Sequence, residues 1–292
     1  MNTSDGTARA AIDPARFAHL TKQLELGTVL FKDRSGSTNT ELAQLAATGT
    51  AGHLSVYYTE HQQAGKGRLG RSWVTPLGSS ITVSVLMVPG ASIPTEALSW
   101  YTMLAALAWS RAAERVGEVP VRIKWPNDLL AGEFKICGIL AQMVPAGSGY
   151  GVVVGTGMNV DQSREELPVS TATSLRLASS RAIDRAIDRT ELLAEYLKEL
   201  VNLDRAFRQV SGSEQMPLPG FEGRSLQELV SEKLATLGHV VRVEFPDGRS
   251  LEATAVQLAA DGALVLEESS GQRTHVLAGD VHHVRRADGK YA

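Results

Sequence analysis

The sequence predicts an α+β protein, with one mixed sheet covered by helices and a small C-terminal β-barrel of SH3-like type. Three observations carry that expectation. Up to about residue 237, strand-like runs rich in β-branched residues are interspersed with segments of helical spacing. From Gly238 onward the texture changes to five short strand candidates separated by turns such as Asp247-Gly248 and Asp261-Gly262. The chain of 292 residues exceeds the ~100 to 200 typical of one domain, and its 43% hydrophobic content can fill a sizeable core.

Taken in order, residues 1–12 are small, polar and aperiodic, and are expected to form a mobile tail. Asp13-Pro14 reads as an N-cap followed by proline at the first helical position, opening a helix toward Leu24. A second helix is expected after Ser37-Thr38-Asn39, with Leu42, Leu45 and Ala46 on one face. Strand patterns follow at Leu54 to Thr59 and Ser80 to Val88 and bracket a glycine-rich loop. Pro94 to Val116 reads as a long helix, and Val121 to Trp125, Ile136 to Val144 and Gly151 to Val160 as strands. Helices are expected at Glu191 to Val210 and, ending at Gly238, at Ser225 to Leu237. The five barrel strands are Val240 to Phe245, Leu251 to Leu258, Ala263 to Glu267, Gln272 to Leu277 and Val281 to Arg285. These boundaries give a tail over 1–12, a main domain over 13–237 and a barrel domain over 238–292.

Composition excludes several classes. A net charge of −3 argues against a protein that coats nucleic acid, although a local basic loop can still capture a small anion. Cys137 is the single cysteine, which rules out an intramolecular disulfide framework and fits a reducing cytoplasm. No secretory signal is visible, and the longest apolar run, Leu98 to Trp109, is far below the ~20 residues a membrane span needs. No His-Glu-x-x-His or Gly-x-Ser-x-Gly is present, and His282 and His283, adjacent in a strand, point to opposite faces. Cys137 within Ile-Cys-Gly-Ile reads as a small buried hydrophobe, and the segment Arg176 to Arg189, with Asp184 and Asp188, as a solvated surface.

The densest chemical signal is Gly65-Lys-Gly-Arg-Leu-Gly-Arg-Ser-Trp73, with three glycines, three cations and one large aromatic. Glycines let backbone N–H groups approach a ligand, and Lys66, Arg68 and Arg71 can offset phosphate charge. The stretch matches Gly-x-Gly-x-x-Gly, but no helix opens at Gly70 and no acid follows at the required distance, so it is not a dinucleotide fingerprint. A solvated basic hairpin is the bland alternative. Three further segments stand out. In Lys124-Trp125-Pro126-Asn127-Asp128 a proline ends a strand and throws polar side chains into a turn, with Trp125 as core and Asp128 as a turn residue the structural alternative. Lys135 opens the apolar strand Lys135-Ile-Cys-Gly138, where it is either functional or an edge lysine reaching water. In Gly155-Thr-Gly-Met-Asn159 two glycines within a strand pattern mark close approach of a ligand or backbone.

Together, and in this order, these four segments resemble the bacterial biotin protein ligases, from about residue 28 to the C-terminus. The resemblance implies the biotin and lipoate ligase catalytic fold, similar to class II aminoacyl-tRNA synthetases, and an ATP-dependent ligase that passes through biotinyl-5′-AMP with Mg²⁺ assisting. It implies that Arg68, Lys135 and Asp128 are catalytic. Biotin would meet Ser37, Thr38, Asn39, Gln62, Gly65, Lys66, Arg68, Trp125, Lys135 and Gly138. ATP would meet Arg68, Arg71, Trp73, Asn127, Asp128, Lys135 and Asn159, with Trp73 stacking on adenine and Asp128 a candidate metal ligand. The acceptor would be a lysine of a biotin carboxyl carrier domain, whose amine, with a pKa near 10.4 when free, needs help to lose its proton. The sequence departs from the commonest loop pattern at Lys66 and Leu69, where arginine often stands. With 36 residues ahead of Ser37, a monofunctional enzyme without a DNA-binding domain is expected, away from membranes and monomeric or weakly dimeric. The rivals are a lipoate-type acyl-adenylate ligase and a non-catalytic binding module centred on the barrel.

Overall fold

The computed structural model describes residues 9–147, 149–179, 186–245, 248–277 and 280–283. Helix α1 (Pro14–Thr21) starts where Asp13 accepts from the N–H groups of Ala15 and Arg16. Strand β1 (Val29–Ser35) runs into α2 (Thr38–Ala47), capped by Ser37. After β2 (Ser55–Gln62) comes a short hairpin, β3 (Gly65–Lys66) and β4 (Ser72–Trp73), and then β5 (Ser80–Met87). Helix α3 (Trp100–Gly117), preceded by a 3₁₀ turn at Thr95–Ser99, leads to β6 (Val121–Lys124), β7 (Asp128–Ala131), β8 (Phe134–Ala146) and β9 (Gly149–Asn159). Helices α4 (Leu175–Ala178), α5 (Arg189–Gln209) and α6 (Leu226–Lys233) follow. Strands β10 (Val240–Glu244), β11 (Ser250–Leu258), β12 (Leu264–Glu267), β13 (Arg273–Val276) and β14 (Asp280–His283) close the chain.

Among the described residues the main sheet has seven strands in the order β1-β2-β5-β9-β8-β7-β6. Only the β1–β2 pair is parallel, which makes the sheet mixed as expected. Because side chains alternate across a strand, β5 and β9 sort their residues into two faces. Val83, Val85, Val154 and Met158 enter the large core under α3 and α5, where Trp109 stacks on Tyr196 at 4.0 Å. Leu86 and Val153 face α2 and join Leu42, Ala46 and Tyr57 in a smaller core. The rest of that second face, carrying Thr82, Ser84, Gly155, Gly157 and Asn159, is left for the site.

Among the described residues the C-terminal strands form a five-stranded antiparallel sheet in the order β13-β12-β11-β10-β14. The end of its β11 and the β11–β12 turn are held to the rest of the chain through backbone carbonyls. Leu258 O accepts from Gln227 Nε2, Ala260 O from Trp100 Nε1, Asp261 O from Ser99 Oγ and Gly262 O from Trp125 Nε1, all at 2.6–3.0 Å.

Several expectations need correction. The described end of the expected tail is anchored at Ile12, which is 1% exposed and donates its N–H to Glu60 Oε1. The last helix stops at Lys233, not Leu237, because Leu234 to Thr236 pair with the end of β6 instead: Ala235 N donates to Ile123 O and Thr236 Oγ1 accepts from Trp125 N. Arg189 is not a surface residue but is 5% exposed and ion-paired with Glu60 at 2.7 Å. Strands β1 and β7, the hairpin β3–β4 and helix α4 went unrecognised: β1 is a charged edge strand, and the others are four residues or fewer. Asp184 and residues 284–285 lie outside the described residues.

Candidate active site

The cleft over the second sheet face has a volume of about 550 Å³ and collects residues from every segment singled out above. Every candidate site residue lines it except Gly65, which lies in β3 beside Gln62 and Trp73. Lys66, Arg68, Arg71, Lys124 and Lys135 line it, against Asp128 as the sole carboxylate among the described lining residues. This imbalance favours anionic ligands in an otherwise acidic protein.

One end is a neutral polar pocket at the start of α2. The Thr38 N–H and Oγ1 both donate to Gln62 Oε1, at 3.0 and 3.2 Å. Asn39 Nδ2 donates to Leu140 O (2.9 Å), and its Oδ1 accepts from Ser84 Oγ (2.6 Å), so its amide ties α2 to the sheet as well as lining the cleft. A Cβ at residue 155 would lie 1.9 Å from Asn39 Oδ1, which is why that position is glycine. Behind this end, Glu41 accepts from Ser35 Oγ, Tyr57 OH, Lys32 Nζ and the Gly36 N–H, fixing the turn that presents Ser37. Burial pushes the Glu41 carboxyl up, but these donors outweigh it and lower its pKa to about 2.

In the middle, Lys135 Nζ lies 2.6 Å from Asp128 Oδ1. Regular alternation would put Lys135 and Gly138 on opposite faces of β8. The β7–β8 register instead passes from Leu129↔Cys137 to Leu130↔Lys135, and this bulge brings Lys135 onto the face of Gly138 and Asp128. Trp73 covers the pair. Its ring is 5.7 Å from Lys135 Nζ, and a Cβ at residue 157 or 138 would come within 2.4 or 3.1 Å of the indole. Trp73 Nε1 is buried without a hydrogen-bond partner among the described residues. The loop before Trp73 is tethered by Arg68 Nη1 to Asn127 Oδ1 (3.2 Å) and by Lys66 Nζ to Thr40 Oγ1 (3.2 Å). Leu69, at its tip, is exposed and in the left-handed region at φ 55°. Cys137, one residue from Gly138, is fully buried, and desolvation pushes its thiol far up, so it is no nucleophile.

At the far end, Asn159 donates to Thr173 O and accepts from Gln162 Nε2, so its amide also holds the loop at 160–174. That loop contributes Pro168, Val169 and Ala172 to the cleft, and β14 contributes Val281. Trp125 is both core and wall: it is 2% exposed, hydrogen-bonded to the C-terminal sheet, and lines the cleft. Sequence reasoning missed Val281 and the 168–172 segment, which carry no chemical signature, and missed Lys124 although it stood inside a quoted segment.

Residues 32–159 match the Biotin/lipoate A/B protein ligase family and residues 236–284 the Biotin protein ligase C terminal domain. A biotin–[acetyl-CoA-carboxylase] ligase from Mycobacterium tuberculosis is 34% identical over 255 residues, covering 86% of this chain and 87% of that one. The chain belongs to the biotin protein ligase family. A bifunctional ligase/repressor from Bacillus subtilis is 32% identical over 162 residues, 54% of this chain and 49% of that relative. The fold matches the Aquifex aeolicus biotin protein ligase solved with biotin and ATP, at TM-score 0.69 and 23% identity over 87% of this chain and 97% of that one. Among the described residues of this ligase, no helix is long and apolar enough to cross a membrane.

Proposed function

We propose that this biotin protein ligase runs both half-reactions in the one cleft, joining biotin to AMP and then passing biotin to a carrier lysine. The observation that carries the assignment is Lys135, salt-bridged to Asp128 under Trp73, between a neutral amide pocket and a cation-rich wall. The ureido group of biotin needs donors and acceptors in a largely dry site, which Ser37, Thr38 and Gln62 supply. Its carboxylate then points toward Lys135 and Arg68. There it attacks the α-phosphorus of ATP, the bond to pyrophosphate breaks, and the two cations offset charge on both anions as they meet. Trp73 supplies a face for adenine and Arg71 a charge for the phosphates.

Mg²⁺ would serve as phosphate counter-charge. Among the described residues no cluster of three His, Cys, Asp or Glu forms a protein-built metal site, and Asp128 fits a Mg²⁺ carried mainly by ATP phosphates. In the second half-reaction the carrier lysine attacks the biotinyl carbonyl, AMP departs, and the amine gives up its proton, with Asp128 the carboxylate placed to orient or accept it. The carrier is a biotin carboxyl carrier domain, met in the cytoplasm.

The test is incubation with biotin or lipoate, ATP, Mg²⁺ and a biotin carboxyl carrier domain, followed by intact-mass analysis. The expected result is a mass gain of biotin less water on one lysine, with pyrophosphate released. Transfer of lipoate at an equal rate would contradict the reading.

A further inference from the structure

The packed N-terminal segment reaches the active-site walls through Arg9. Its guanidinium donates to Asp161 Oδ2 (2.9 Å), Asp161 O (3.0 Å) and Glu166 Oε2 (2.5 Å), and the same Glu166 oxygen accepts from the Ser163 N–H (2.9 Å). The loop so gripped, 160–174, holds Lys135 by its backbone: Lys135 N donates to Thr171 O and Thr173 N to Lys135 O, both at 2.8 Å. It also contributes Val169 and Ala172 to the lining of the cleft. Arg9 further packs over the turn that follows the basic loop, 3.5 Å from where a Cβ on Gly78 would lie. In that turn Ser79 O accepts the N–H groups of Val160 and Asp161. Ala10 O, accepting from Arg189 Nη2, and Ile12 N, donating to Glu60, pin the chain just after Arg9.

We propose that Arg9 is a positioning residue for the nucleotide half of the cleft: an N-terminal strap that sets the 160–174 loop, and with it Asn159, whose amide is bonded to Thr173 O and Gln162 Nε2, for ATP. It touches no substrate. The proposal rests on the ATP-dependent reading above. The ureido pocket for biotin at α2 is built from other elements, and Lys135, which faces both substrates, is held by the loop through its backbone, so loss of Arg9 weighs on ATP more than on biotin. Charge-assisted hydrogen bonds of this kind correspond to roughly a tenfold effect or more.

The experiment measures steady-state pyrophosphate release by Arg9→Ala, Arg9→Lys and Arg16→Ala, varying ATP and biotin separately. Arg16 is the control, because it lies in the same N-terminal region but pairs with Asp188 and Glu191, away from the loop. The expected result is an ATP KM raised roughly tenfold in Arg9→Ala with biotin KM raised far less. Partial rescue in Arg9→Lys, an unaltered ATP KM in Arg16→Ala, and faster hydrogen exchange over 161–174 in Arg9→Ala complete the pattern. An Arg9→Ala enzyme with wild-type ATP KM, or with both KM values raised together, overturns the proposal. Absence of biotin-dependent turnover in the wild-type chain would overturn the functional reading instead.

Discussion

Gly157 and Glu41 show how single residues set the site. Trp73 lies over Lys135 because residue 157 has no side chain; in Gly157→Ala the new Cβ would meet the indole at 2.4 Å, well inside van der Waals contact. The expected outcome is a displaced Trp73, seen as altered tryptophan fluorescence, with ATP KM raised and melting temperature nearly unchanged. Glu41 gives a pH prediction. Its folded pKa of about 2 lies below its ordinary 4.5, so the stability it contributes is full above about 4.5 and is lost as pH falls toward 2. Glu41→Gln is expected to cost about 1 to 3 kcal/mol at neutral pH and to flatten the acid limb of stability between those two values, read by denaturant titration across pH. The chemical types at the site were legible because glycines, cations and an aromatic cluster within short segments. The bulge that turns Lys135 toward Gly138 was not, since regular alternation predicts the opposite face and only the pairing of β8 with β7 reveals the skip.

At the scale of elements, local rules read well where chain neighbours decide and poorly where distant partners do. Asp13-Pro14, Ser37 and the Ser225/Glu228 capping box start helices where their side chains cap the first turn. The end of α6 was misread because β6 and Trp125 take over the chain from Leu234, a contact across more than 100 residues. Arg189 was misread for the same reason: a charge-rich segment reads as solvated until Glu60 is found opposite. Arg189 bonds Glu60, Ser80 O and Ala10 O, so it fastens α5 to β2, β5 and the N-terminal strap. Arg189→Ala leaves Glu60 buried without its partner and is expected to destabilise by roughly 3 to 5 kcal/mol, measured by urea unfolding. The double variant Arg189→Met, Glu60→Leu should recover much of that loss, because removing both charges removes the unpaired one.

Across the whole molecule, two domains that the sequence separates by texture form one working unit. Four carbonyls from the end of β11 and the β11–β12 turn are held by Gln227, Trp100, Ser99 and Trp125, and Trp125 is at once an anchor for that turn and a wall of the cleft. Val281 completes the wall from the C-terminal sheet. The change of texture near residue 238 was visible in the sequence, whereas the docking was not, because backbone carbonyls leave no trace in residue type. We propose that Lys135, set by this arrangement, drives adenylation. Single-turnover formation of biotinyl-AMP by wild type and Lys135→Ala tests it most directly. Loss of roughly 3 to 4 kcal/mol of transition-state stabilisation, with circular dichroism and melting temperature unchanged, is the predicted result; a Lys135→Ala enzyme that forms biotinyl-AMP at the wild-type rate would contradict it.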